Sequence, residues 1–157
     1  MRKIYYAIFF FTFVIAYYGC CSSKEMKSEK ELLSFTIVLG SGGGFTGRYS
    51  GNAIDTEGRI YNWEGRTYIN SSKRIVDTLS QNQITKLNKF FSENNLTNYH
   101  FRETGNITSF LTLSDSNNDF TFSWKEVNIP ERAPDKIREL YYLINQAIEN
   151  DNKEVQK

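Results

Sequence analysis

The chain has 157 residues, with 19 basic and 18 acidic side chains, two cysteines and one histidine. Two of the basic residues are Arg2 and Lys3, so the remainder is close to neutral and carries no electrostatic footprint for nucleic acid. A single histidine, and no cysteine beyond Cys21, exclude a metal centre built from His and Cys and any disulfide within the body of the chain.

The N-terminus "MRKIYYAIFFFTFVIAYYGCC" starts with Arg2 and Lys3 and continues through Ile4 to Tyr18 as a run broken only by Thr12. The run is shorter than the roughly 20 residues a spanning helix needs. A charged start, a short apolar stretch and a small residue before a break form the pattern of an export signal. Gly19-Cys20 at that break resembles the lipobox of bacterial lipoproteins. The resemblance implies cleavage after Gly19 and a lipid on Cys20. It makes residues 1–19 a signal peptide and places the domain at the bacterial envelope, on the outer membrane and facing periplasm or exterior. Residues 20–32, with the polar run "SSKEMKSEKE", read as a lipidated cysteine followed by a flexible tether.

Residues 33–149 suit one domain by length, and residues 150–157, "NDNKEVQK", read as a polar tail. In "LLSFTIVL", Leu33, Phe35, Ile37 and Leu39 share one face with period two, the mark of a half-buried strand. "GSGGGFTG" then reads as a connection, and "RYSGNAID" as a second strand closed by the turn "DTEG". "RIYNW" makes a third strand, with Tyr61 and Trp63 on one side and Ile60 on the other, and Glu64-Gly65 a further turn. A fourth strand is expected around Lys73 to Thr78.

Ser80 followed by Gln83 is a capping-box pair, and Leu79 with Ile84 is spaced as a hydrophobic staple. The apolar stripe Ile84, Leu87, Phe90, Phe91 predicts a helix over Gln81 to Glu93, with Asn94-Asn95 as a left-handed stop. "NITSFLTLSDSNNDFTFSW" predicts a hairpin turning at Asp115 to Asp119. Pro134 suits the first turn of a last helix, whose stripe is Ile137, Leu140, Tyr141, Ile144 and Ile148. Hairpins rather than crossover helices join most strands. The fold class is therefore α+β, an antiparallel sheet with two amphipathic helices packed on one face.

The glycine loop lacks the Lys-Ser/Thr of a Walker loop and is followed by Arg48-Tyr49 and a strand, so a phosphate cradle is excluded on context. Two readings remain open. The glycines only turn the chain, or Gly42, Gly43, Gly44, Phe45, Thr46 and Gly47 form a recognition loop that lies against a partner. His100 has no nucleophile motif beside it and reads as an ordinary loop residue. Carboxylate pairs such as Asp55–Glu57 or Glu103–Asp115 leave a small hydrolase as the enzymatic alternative. Tyr61, Trp63, Phe122 and Trp124, exposed together, would form a stacking face, but their period-two placement favours core packing. Sequons at Asn70, Asn95 and Asn106 match by composition alone in a chain rich in Asn, Ser and Thr.

A strand ending in Gly43-Gly44-Phe45-Thr46-Gly47, a second strand with "DTEG", a capped helix, a hairpin and a final helix resemble the emfourin-like inhibitors of thermolysin-type metallopeptidases. The resemblance covers Leu33 to Ile148 and implies a non-enzymatic, cofactor-free domain with a peptidase as partner, engaged through the glycine loop. A structural accessory lipoprotein whose loop only turns the chain is the third expectation.

Overall fold

The computed structural model describes residues 30–154. The expected signal peptide, Cys20 and the tether up to residue 29 lie outside them.

The period-two pattern of the first strand is realised in β1 (Thr36–Gly43), where Ile37 and Leu39 are buried toward the helices and Val38 is buried on the opposite face. It is followed by β2 (Arg48–Ile54), β3 (Arg59–Gly65), β4 (Ser71–Thr78), α1 (Gln81–Glu93), β5 (Ile107–Ser114), β6 (Asp119–Trp124) and α2 (Asp135–Glu154). The strands form one antiparallel sheet in the order β4-β3-β2-β1-β5-β6. The fold is α+β, with both helices on one face of the sheet.

Helix α1 forms where its sequence signals stand. The Ser80 hydroxyl accepts from the Gln83 N–H at 3.4 Å, and the Gln83 side chain accepts from the Ser80 N–H at 2.7 Å, closing the capping box. Leu79 and Ile84 are both buried at the staple positions. The stripe of α1 and the Ile137–Leu140–Ile144 stripe of α2 pack into one core with Ile37, Ile54, Ile60, Leu111, Leu113, Phe122 and Trp124. That core spans β1, β2, β3, β5 and β6 and leaves β4 at the margin.

Several local expectations are corrected. Gly40, Gly42 and Gly43 are strand residues, paired to both β2 and β5, so the connection shrinks to four residues, 44–47. Glu64-Gly65 is not a turn: β3 continues through Gly65, which pairs with Ser71. Asn94 ends α1 in an extended conformation rather than a left-handed one, and its side-chain amide and its N–H both bond the carbonyl of Phe90. An amide already bonded to the open helix carbonyl removes the need for a left-handed residue. Asp119 belongs to β6, opposite Ser114, because the Asp115 carboxylate accepts from the N–H groups of Asn117 and Asn118 and closes the turn early. Helix α2 runs to Glu154, beyond the start of the expected polar tail at 150.

The two sheet edges differ. Along β6 the segment at Phe101 to Glu103 adds main-chain bonds, Ser123 N–H to Phe101 and Glu103 N–H to Ser123, at 3.0 and 2.8 Å. The edge at β4 has no such cover among the described residues, and it is blunted by Lys73, Arg74 and an irregularity opposite Ile60/Tyr61.

Candidate functional site

The glycine-rich stretch folds as a hairpin end. Gly44 to Thr46 make one 3-10 turn, and Gly47 closes it in the left-handed region at φ 59°, its N–H reaching the Gly44 carbonyl at 3.4 Å. The Thr46 hydroxyl accepts from the Arg48 N–H at 3.3 Å, and Gly44 donates its N–H to the Asn106 carbonyl at 2.5 Å. The hairpin is therefore held at its base by β2 on one side and by the start of β5 on the other. Phe45 stands at its tip, 107% exposed.

The tip has apolar neighbours at the same end of the sheet. Ile107 pairs with Gly43 and is exposed, and Val127, also exposed, is drawn in by a 3.3 Å bond from the Ser109 hydroxyl to its carbonyl. Of the residues expected in a recognition loop, Gly44, Phe45, Thr46 and Gly47 form the tip. Gly42 and Gly43 form its last ladder rungs, opposite Tyr49 and Arg48. Cys20 lies outside the described residues.

The acidic pairs are engaged with cations and main-chain groups. Asp55 accepts from Arg59 Nε at 2.7 Å and from the Tyr61 hydroxyl at 2.8 Å, while Glu57 meets the same guanidinium at 3.4 Å. Partial burial pushes the Asp55 carboxyl up, but the bonds from Arg59 and Tyr61 outweigh it and hold it below the usual carboxylate range. Glu103 is held low by the Arg132 guanidinium, which also takes Glu126. Asp115 is held low by the N–H groups of Asn117 and Asn118. Glu103 and Asp115 do not meet: Asp115 sits in the β5–β6 turn and Glu103 beside Ser123, toward the other end of β6. His100 is an exposed residue of the connection between α1 and β5. Among the described residues no group of three or more His, Cys, Asp or Glu is placed to hold a metal.

The four aromatics expected either as a stacking face or as core separate onto opposite faces. Phe122 and Trp124 are buried beneath the helices. Trp63 is buried on the other face with Val38 and Ala53, and Tyr49, Tyr61, Tyr68 and Phe110 pack around it.

Sequence reasoning missed a polar row on the helix side. Asn52, Asn62 and Arg74 stand side by side across β2, β3 and β4 by direct register and line a cleft of about 590 Å³ with Ile60, Asp77 and Ile148. The signal was present in the alternation. Inward positions in β2 and β3 pass from Ile54 and Ile60 to Asn52 and Asn62, where a fully covered strand would stay apolar.

No protein-family model matches the chain. No curated protein matches it either. Among the described residues no helix is long and apolar enough to cross a membrane.

Proposed function

We propose that the chain is a lipid-anchored protein of the bacterial envelope, tethered through Cys20. Its folded domain is a non-enzymatic binding module that offers the hairpin tip to a protein partner, a thermolysin-type peptidase.

The observation that carries this reading is Phe45. A fully exposed aromatic at the end of a hairpin fixed from both sides is an anchor awaiting a pocket. Burying such a side chain contributes on the order of 1.5–3 kcal/mol. The hydrogen bonds at the hairpin base reduce the ordering cost a loose loop would add on binding. Ile107 and Val127 are further exposed apolar side chains at the same end of the sheet.

The direction of β1 supports the same reading. The chain enters the fold at Leu33, whose N–H bonds the Thr56 carbonyl, and β1 then runs from Thr36 to Gly43 before the tip. At about 3.3 Å per residue its eight residues carry Phe45 some 25 Å from the entry point. A domain hung from a lipid at its N-terminus thus holds its tip away from the anchored end.

The hydrolase alternative needs a carboxyl kept protonated near neutral pH by burial or by a like charge. The shifted acids in the fold, Glu31, Asp55, Glu103 and Asp115, all move downward. That direction favours binding over general acid catalysis.

The test is a titration of the full-length chain, in mild detergent, against a thermolysin-type peptidase turning over a small peptide substrate. Stoichiometric inhibition that disappears in Phe45→Ala, with an unchanged melting temperature, supports the proposal. Full peptidase activity at large excess of the chain overturns the choice of partner.

A further inference from the structure

The hairpin tip leaves unused the row of Asn52, Asn62 and Arg74 on the helix side of the sheet. We infer that the cleft across β2, β3 and β4 binds a short peptide with both termini free, its carboxylate on Arg74 and its ammonium on Asp77.

Neighbouring side chains on one face of paired strands stand about 4.5–5.5 Å apart, close enough to interact. Yet the side chains of Asn52, Asn62 and Arg74 make no hydrogen bond or ion pair among the described residues. Arg74 and Asp77 line the same cleft, and no ion pair joins them. The Asp77 carboxylate uses one oxygen, Oδ1, to accept from the Thr78 N–H at 2.8 Å. One cation, one anion and two amides thus face a single cleft with their capacity left over.

Each of these groups selects its complement. A guanidinium offers a planar fork that matches a carboxylate. A carboxylate takes an ammonium. Each asparagine amide carries both a donor and an acceptor, which is what a peptide group presents in mirror image. Ile60, Ile75, Val76 and Ile148 supply apolar walls for a side chain between the two ends. The volume of about 590 Å³ falls within the ~300–1,000 Å³ range of ligand pockets.

The experiment is calorimetry of the full-length chain in mild detergent with Ala-Leu-Ala, and with the same tripeptide acetylated and amidated at its ends. Binding of the free peptide, weakened by about tenfold or more when both ends are blocked, is the expected result, since a bond to a charged group is worth roughly 1.5–3 kcal/mol. Arg74→Gln and Asp77→Asn, checked for an unchanged melting temperature, should each weaken the free peptide by a similar factor. Equal affinity for free and blocked peptides, or no heat from either at millimolar concentration, overturns the inference. Because the blocked-peptide comparison uses the unaltered chain, it decides the matter even if a variant misfolds.

Discussion

Trp63 lies across Gly40. Its ring comes within 2.6 Å of where a Cβ at Gly40 would stand, and its indole N–H donates to the Leu39 carbonyl at 3.0 Å. The ring of Phe110 presses on the same place from β5, at 2.5 Å. One glycine of the loop-like stretch is therefore a seat for two aromatic rings on the face away from the helices. Gly51 pairs with Gly40 and has even less room, since a Cβ there would meet the Leu39 carbonyl oxygen at 2.1 Å. Gly40→Ala and Gly51→Ala should each destabilise the fold by about 1–3 kcal/mol, as overpacking does. Thermal unfolding followed by tryptophan fluorescence, to which Trp63 and Trp124 both contribute, reads the loss. Melting temperatures equal to those of the unaltered chain would contradict the seating.

Phe45 should behave in the opposite way. Nothing among the described residues covers it, so Phe45→Ala should change stability by less than about 0.5 kcal/mol, the usual range for an exposed site. If the tip is an anchor, the same variant should cost about 2 kcal/mol or more in partner affinity, the size of a hot spot. A matched pair of melting and inhibition curves separates the two effects.

How far the sequence announced all this depends on how local the signals are. The capping box at Ser80–Gln83 and the stripe Ile84–Leu87–Phe90–Phe91 are set within one helical turn or two, and α1 stands at the expected residues. The strands came from period two, and the sheet from hairpin spacing. Gly40, Gly42 and Gly43 misled because glycine most often marks turns. Their role depends on rings and backbone brought from β3, β5 and β2, which no local pattern contains. The same holds for Asn52, Asn62 and Arg74. Each is an unremarkable polar residue alone, and only the register of three strands makes them a row. The exposed tip at Phe45 was legible as a glycine-flanked aromatic. Its fixed base, resting on Asn106, was not.

Cys20 is the point at which the envelope proposal stands apart from the fold. Cys20→Ser should abolish the incorporation of labelled palmitate seen in the unaltered chain. Absence of label in the unaltered chain, found in the membrane fraction, would point to the apolar N-terminal run as an uncleaved anchor instead.

Acid should weaken the fold through Asp55. Its carboxyl is held below its ordinary value because partial burial is outweighed by Arg59 and Tyr61. A depressed folded-state pKa contributes stability that is present above the unfolded value, near 3.8, and lost as the pH falls through the folded one. Asp55→Asn should therefore lower stability at neutral pH and flatten its decline below about pH 4. Denaturant unfolding at a series of pH values measures both, and an unchanged acid slope would remove Asp55 from the account.

Asn88 is where the end of the tether joins the domain. Its amide donates to Glu31 Oε1 at 2.8 Å and to the Leu32 carbonyl at 2.7 Å, and its Oδ1 accepts from the Ser34 N–H at 2.9 Å. Thr85 adds a bond to the other Glu31 oxygen at 2.5 Å, and Gln81 accepts from the Glu31 N–H at 3.0 Å. Three residues one helical turn apart on α1 thus grip a segment that composition alone assigns to a flexible linker. Leu33, buried close by in sequence, shows why the grip matters, since among the described residues it is the first apolar one committed to the core. Asn88→Ala removes these three bonds and a fourth, from the Ser34 hydroxyl at 3.1 Å, all of them exposed, so the global loss should be modest, about 1–2 kcal/mol. The local effect should be larger. The amide hydrogen of Ser34, which loses its acceptor, should exchange faster, and cleavage near Glu31 by a glutamate-specific protease should accelerate, while β5 and β6 keep their protection. Unchanged exchange at the Ser34 amide would mean that the entry is held without Asn88, by Leu33 in the core and by the bonds from Gln81 and Thr85.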